Sequence, residues 1–339
     1  MDRRRFIVHA SSLAAAAPVC VGWDATTFAA EPKPTDYPIA IFGKVFQEHS
    51  FDQLAEVLEI TNADGVEATI RAGGHIDPSK GDYGSQLEKM VAALAKRSKR
   101  LLIAATDINE AIAENRILLS ALRDNGVKYY RMGYYKYRSG IPLVDQVHEF
   151  AVKAKELAAL NRELGMVGLY QNHAGKDYVG SLLWDLVFVM EGVPVEDMGV
   201  ALDLRHLRAE IGVSFPTVVN AIRPHLRSVY LKDTQRTGAD GQTLNEVPLG
   251  EGMVTRELFR NVWKSVDPVP LSVHVEYHGQ KPYAPGNDRV VIEANKKDVA
   301  TLHRHSVCVR GCTCSFAKQR QAATSRAHQR DRSRSTESK

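Results

Sequence analysis

The sequence predicts an α/β protein, a single (β/α)8 TIM barrel. Three observations predict it. Eight β-branched or aromatic runs alternate with eight amphipathic runs between residues 35 and 305. That span matches the roughly 250 residues such a barrel needs. No Gly-x-Gly-x-x-Gly and no P-loop follows any strand run, as an open nucleotide-binding sheet would require. A doubly wound open sheet is the alternative topology. Nothing within 35–305 reads as a linker, so one domain is expected.

The elements follow in order. The first strand, 37–46 (YPIAIFGKVF), leads to a helix near 50–61, with Ser50 as N-cap and Leu54, Val57 and Leu58 on one face. The second strand, 65–71 (GVEATIR), is followed by helix 85–98, whose Leu87, Met90, Val91 and Leu94 recur at three and four. Strand 100–107 (RLLIAATD) precedes helix 109–125, which Gly126 ends. Strand 129–137 (YYRMGYYKY) precedes helix 143–164, ended by Gly165. Then come strand 166–173 (MVGLYQNH) with helix 180–192, strand 198–204 (MGVALDL) with helix 215–224, and strand 226–232 (LRSVYLK) with helix 255–265. Strand 271–278 (LSVHVEYH) and helix 292–304 complete the set.

The two ends are set apart by composition. Arg3, Arg4 and Arg5 with Phe6 stand ahead of an apolar run from Ala10 to Val21, and Ala29-Ala30 offers a cleavage point. Residues 1–30 therefore read as a twin-arginine-type signal peptide, which sends a folded protein to the periplasm or otherwise out of the cytoplasm. A Sec signal or an uncleaved anchor is the alternative. The run is too short and alanine-rich for a stable membrane span. Residues 306–339 form a basic low-complexity tail, expected to be disordered because it has too little apolar surface to order itself. The chain's formal +4 sits there: eight Lys/Arg against two acids give the tail +6, residues 1–31 are neutral, and the rest carries −2. A slightly acidic body excludes a nucleic-acid-binding domain, and no specific nucleic-acid partner is expected. The four cysteines, Cys20, Cys308, Cys312 and Cys314, lie outside the barrel, which can fold without disulfides. With His303 and His305 the last three match no common zinc spacing.

In a (β/α)8 barrel the site lies at the C-terminal ends of the strands. Five of these strands end in polar residues. Strand two carries Glu67, Thr69 and Arg71 on one face, followed by Gly73-Gly74-His75. Strand five ends Gln171-Asn172-His173-Ala174-Gly175, strand six Asp203-Leu204-Arg205-His206, and strand seven Tyr230-Leu231-Lys232-Asp233. Strand eight presents His274, Glu276 and His278 on one face, with His278 the weakest member. Charges pointing into a barrel need a partner, a metal or a substrate, because isolated buried charge is costly. The aromatic run of strand four reads as packing, with one ring free to face a sugar.

These motifs resemble the xylose-isomerase-like superfamily of TIM barrels, which includes the sugar phosphate isomerase/epimerase family. Gln171-Asn172-His173-Ala174-Gly175 is similar to its Glu-Asn-x-Ala-Gly, Asp203 to His206 to its Asp-x-x-His, and Tyr230 to Asp233 to its His-Leu-Lys-Asp. Pro248 to Gly252 resembles its following Gly-Glu-Gly turn. The resemblance covers about 37–305 and implies one divalent metal ion, Mn, Co or Mg, held from strands five to eight. By position the ligands are Gln171, Asp203, Tyr230 and Glu276. Gln171 offers no carboxylate and Tyr230 a phenol protonated near pH 7, so affinity falls. Two outcomes follow. The metal persists on Gln171, Asp203 and Glu276 with His274 or His173 compensating, which is the expected set here with His274; or the metal is gone and Lys232, His206 and Arg71 serve instead.

The implied activity is that of an exported sugar isomerase/epimerase-type enzyme that abstracts a proton next to a carbonyl. Gln171 cannot take a proton, which disfavours a two-glutamate epimerisation and leaves Glu276 as base with His173, His206 or Lys232 as acid. Glu67, Arg71, His75 and Arg205 are the expected substrate contacts. A lyase or dehydratase of a keto-sugar or keto-polyol uses the same arrangement, and a sugar-binding barrel without chemistry is the non-enzymatic alternative. The expected partner is a small sugar. Gly250-Glu251-Gly252, with an acid at its centre, makes a poor phosphate nest, and a homo-oligomer is compatible with the sequence.

Overall fold

The computed structural model describes residues 37–304, apart from 240, 242 and 264–268. The expected leader (1–30), the tail (306–339) and the His305/Cys308/Cys312/Cys314 group lie outside the described residues. Eight parallel strands close a barrel in the order β1-β2-β3-β4-β5-β6-β7-β10 and back to β1. They are β1 (Ile39–Phe42), β2 (Gly65–Thr69), β3 (Arg100–Ala105), β4 (Tyr129–Arg131), β5 (Val167–Gln171), β6 (Met198–Asp203), β7 (Leu226–Leu231) and β10 (Leu271–Val273). Closure is made by β1 on β10, with Ile39 opposite Leu271 and Ile41 opposite Val273. The TIM barrel expected from alternation is the fold.

The helices lie between the strands in sequence: α1 (Phe51–Ile60), α2 (Tyr83–Ala95), α3 (Ala113–Asp124), α4 (Leu143–Leu164), α5 (Trp184–Val189), α6 (Leu204–Ile211), α7 (Phe215–Ile222) and α8 (Arg256–Trp263). A further helix, α9, occupies 289–304. Ser50 caps α1 in a full capping box with Gln53. Gly165 ends α4 at φ 69°, a left-handed conformation that a Cβ would strain. Apolar side chains fill two shells. Ala40, Val167, Leu169, Ala201 and Tyr230 pack inside the barrel. Residues such as Leu54, Leu87, Leu119, Leu157 and Val200 pack between strands and helices. Among the described residues no helix is long and apolar enough to cross a membrane.

Three departures from the sequence reading matter for the site. First, the strands are shorter: β4 stops at Arg131 and β10 at Val273, so Glu276 stands beyond the ladder, while the His274 amide still donates to the Leu231 carbonyl at 2.8 Å. Second, α6 starts directly at the end of β6, with Asp203 as its N-cap accepting the His206 amide at 3.0 Å. Third, a hairpin of β8 (Asp233–Thr237) and β9 (Thr243–Val247) follows β7, where a loop was expected.

Asp233 anchors that hairpin. Its carboxylate accepts backbone N–H bonds from Thr234, Gly250, Gly252 and Val254 at 2.7–2.9 Å. The Gly250–Gly252 amides are therefore already occupied by the protein's own anion. A Cβ at Gly252 would fall 2.3 Å from the Thr234 carbonyl oxygen, so this turn requires glycine there. Asp233→Ala orphans four donors around a buried position and is expected to lower stability by about 3 kcal/mol, read as a fall in the urea midpoint at constant slope. An unchanged midpoint would show that water replaces the carboxylate without cost.

Candidate active site

The C-terminal ends of the strands surround a cavity of about 290 Å³, small for a ligand pocket. Its wall includes Arg71, Gln171, His173, Arg205, His206, Lys232, His274 and Glu276, all expected from the sequence. Phe42, Lys44, Arg131, Tyr134, Glu246 and Gln280 line it as well. Of the tyrosines of the strand-four run, Tyr134 is the one that faces the cavity.

Arg131, at the last position of β4, organises the floor. Its Nε lies 2.8 Å from Glu67 Oε1, and its Nη1 donates to Gln171 Oε1 at 2.7 Å. The guanidinium also sits over the Phe42 ring, 4.7 Å from its centroid. Sequence reading passed over this residue because two tyrosines precede it and others follow. The signal was its place two residues after Tyr129, on the same inward face at a strand end.

Glu67 is completely buried beneath the cavity. Its second oxygen accepts from Ser272 Oγ and meets His274 Nε2 at 3.0 Å. Burial pushes its pKa up, but Arg131 first and His274 next hold it down at about 2. Glu67 does not line the cavity, so the expected contact from it is corrected: it supports Arg131 and His274 from below. His75 is also corrected. The Gly73-Gly74 turn folds it back on β2, where Nδ1 meets Thr69 Oγ1 at 2.8 Å and the ring packs under Gly43. Burial lowers its pKa to about 4, and it does not line the cavity. His278 is exposed in a turn and does not line the cavity. Arg71 and Arg205 do line the wall, with Arg205 paired to Glu246 at 2.5 Å.

The hydrogen bonds decide whether a divalent ion fits. Gln171 Oε1 accepts from both Arg131 Nη1 and Tyr134 Oη at 2.7 Å, while its Nε2 donates to Asp203 Oδ2 at 2.8 Å. Arginine can only donate and a carboxylate can only accept, so the amide orientation is fixed and its carbonyl is spent. Asp203 gives its other oxygen to the His206 amide. Lys232 Nζ lies 3.5 Å from Asp203 Oδ2 and 3.2 Å from Glu276 Oε2, between the two remaining carboxylates. Burial disfavours the Lys232 ammonium, but Asp203 and Glu276 more than offset this and raise its pKa. The Tyr230 hydroxyl is buried, stays protonated because burial raises its pKa, and has no hydrogen-bond partner. His274 turns Nε2 to Glu67 and stacks on Phe42 at 4.5 Å. Among the described residues no group of three or more His, Cys, Asp or Glu side chains is placed to hold a metal. The expected set of Gln171, Asp203, His274 and Glu276 thus does not fit a divalent ion: an ammonium and a guanidinium already supply the positive charge there.

The rings of His173 and His206 lie 4.0 Å apart at a tilt of 37°, with His206 Nε2 3.7 Å from Asp203 Oδ2. Burial is the main cause that lowers both pKa values, His206 well below the ordinary value. Both rings are therefore neutral near pH 7, which leaves Lys232 as the charged proton donor beside Glu276.

Comparison with known proteins follows from this geometry. The family model described as Xylose isomerase-like TIM barrel matches residues 63–293. A xylose isomerase-like TIM barrel protein from Mycobacterium smegmatis, solved in complex with magnesium, superposes with TM-score 0.60 at 13% identity over 81% of this chain and 98% of that one. The probable 3-DHS dehydratase of Bacillus anthracis gives TM-score 0.57 at 13% identity, over 78% and 98%. The 3-keto-D-glucoside 4-epimerase of E. coli gives 0.54 at 13% identity, over 76% and 97%. At such identity these likenesses concern the fold. Searching curated proteins by sequence gives no match.

Proposed function

This chain belongs to the xylose isomerase-like TIM barrel family, and from that premise we propose that it is a sugar isomerase-type enzyme whose Glu276 removes a proton next to the carbonyl of a small sugar. The observation that carries the reading is the Glu276–Lys232 pair at 3.2 Å on the cavity wall. Glu276 takes the proton from the carbon. The buried Lys232 ammonium hydrogen-bonds the oxygen on which negative charge grows. Returning that proton to the former carbonyl carbon, while Lys232 gives a proton to the former carbonyl oxygen and regains one from the hydroxyl of the deprotonated carbon, gives the isomer. His173 and Tyr134 contribute walls that orient the sugar ring or chain. No step passes through a metal.

Gln171 favours a second reading. Locked by Arg131, Tyr134 and Asp203, it cannot act as the opposed base of a two-base epimerisation. One base and one acid on the same side suit isomerisation, and they equally suit elimination of a β-hydroxyl from a keto-sugar. Such a dehydratase would use the same residues. Export is part of the proposal, supported by Arg3-Arg4-Arg5-Phe6 ahead of the apolar run.

The test is solvent-deuterium incorporation into a panel of ketoses and keto-glycosides, read by mass spectrometry. Deuterium at a carbon adjacent to the carbonyl in any member supports enzyme chemistry, with or without loss of water. Measurable sugar binding with no exchange in any member would instead make the protein a binding barrel.

A further inference from the structure

Five cations line the small cavity: Lys44, Arg71, Arg131, Arg205 and Lys232. Three are paired with acids: Arg131 with Glu67, Lys232 with Asp203 and Glu276, and Arg205 with Glu246. The other two are not. Lys44 Nζ donates only to the neutral amide oxygen of Gln280 at 3.1 Å, and among the described residues no ion pair reaches it. Arg71 has Asp107 at 3.6 Å, but that carboxylate is 69% exposed, so the pair is screened and weak. Burial lowers the Lys44 pKa and Arg71 lowers it next; Glu276 pulls the other way, and Arg131 and Lys232 add smaller downward shifts. Arg131 adds a second, independent sign: its Nη2 is buried and has no hydrogen-bond partner among the described residues.

Gathering uncompensated cations around a partly desolvated space costs stability, and an anion seated among them removes the cost. Lys44 follows β1 and Arg71 follows β2, so both stand on one side of the mouth, across from the hairpin side where Arg205 is already paired with Glu246. We infer that the substrate carries a carboxylate held by Lys44 and Arg71, with its carbonyl end directed to Lys232 and Glu276. The inference rests on the enolisation proposed above and names the substrate class: a small keto-sugar acid. A carboxylate is favoured over a phosphate ester on two grounds. The cavity is small, and the Gly250 and Gly252 amides that could have cradled a phosphate are bound to Asp233.

The test is calorimetric titration of the full chain with D-fructose, D-fructuronate and D-fructose 6-phosphate, which differ at C6, and with 2-keto-D-gluconate, which carries its carboxylate at the other end. At least one carboxylate is expected to bind 10-fold or more tighter than fructose. Lys44→Met and Arg71→Met are each expected to lose roughly 10- to 100-fold of that affinity, the range for a charge-assisted hydrogen bond, and to narrow the preference for the carboxylate over fructose. Equal affinity for fructose and the carboxylates, tighter binding of the phosphate ester, or no carboxylate binding in the millimolar range would each overturn the inference. If a variant fails to fold, the preference of the unmodified chain decides. Deuterium exchange into neutral ketoses without any carboxylate preference would sink this inference and leave the proposed chemistry standing. Carboxylate binding without exchange in any sugar would do the reverse.

Discussion

Glu276→Gln is expected to slow solvent-deuterium exchange by about 10²- to 10⁴-fold, the usual contribution of a positioned general base. Sugar affinity should change little. The amide keeps the shape of the side chain and can still accept a hydrogen bond from Lys232, which also retains Asp203 as its charge partner at 3.5 Å. A loss confined to turnover would separate a role in proton transfer from one in binding. Exchange at the original rate in Glu276→Gln would remove Glu276 from the base role. The neighbouring candidates are poor substitutes: Asp203 gives both oxygens to Gln171 and the His206 amide, and Glu67 lies completely buried below the cavity.

The largest effect on stability is expected at Glu67. Glu67→Gln removes the charge that offsets buried Arg131 and should cost about 3–5 kcal/mol, as for other broken buried pairs. Linkage gives a consistent figure. With its pKa held at about 2 in the folded protein against an ordinary 4.5, Glu67 contributes about 3 kcal/mol. The sign follows from the depressed value: the contribution is fully present above about pH 4.5 and is lost as pH falls towards 2. Urea unfolding followed from pH 7 to pH 2 should therefore show a steep acid limb in the unmodified chain. That limb should be shallower in Glu67→Gln, which starts from a lower plateau. Equal stability at pH 7 would show that Arg131 is compensated without Glu67, through Gln171 and the aromatic rings alone.

The barrel was legible because alternation and helical periodicity repeat over the whole span. Even α4 was read with its observed bounds, 143–164, since Gly165 marks its end. Strand ends were read too long. Glu276 continues the period-two pattern although the last inter-strand hydrogen bond is that of the His274 amide to the Leu231 carbonyl. The α6 helix was missed because it begins without a loop, yet Leu204, Leu207 and Ile211 carry its spacing. The β8–β9 hairpin was missed because its residues are polar on both faces and stay partly exposed. Within the site, Asp203, Lys232, Glu276, His173 and His206 stood at strand ends and could be named. Their partners could not. Arg131 faces Glu67 and Gln171 from a different strand, and only closure of the barrel brings β2, β4 and β5 together. That closure also decides the metal question. Asp203 and Glu276 read as ligands along the chain, and in space they flank an ammonium.

Enolisation of a sugar by the protein's own cations is tested by deuterium exchange with protein dialysed exhaustively against a chelator, assayed against a keto-sugar shown to exchange with untreated protein, with metal content read on the same sample. Exchange is expected at the original rate with far less than one divalent ion per chain. Exchange abolished by the chelator and restored by added Mn²⁺, Co²⁺ or Mg²⁺ would contradict it.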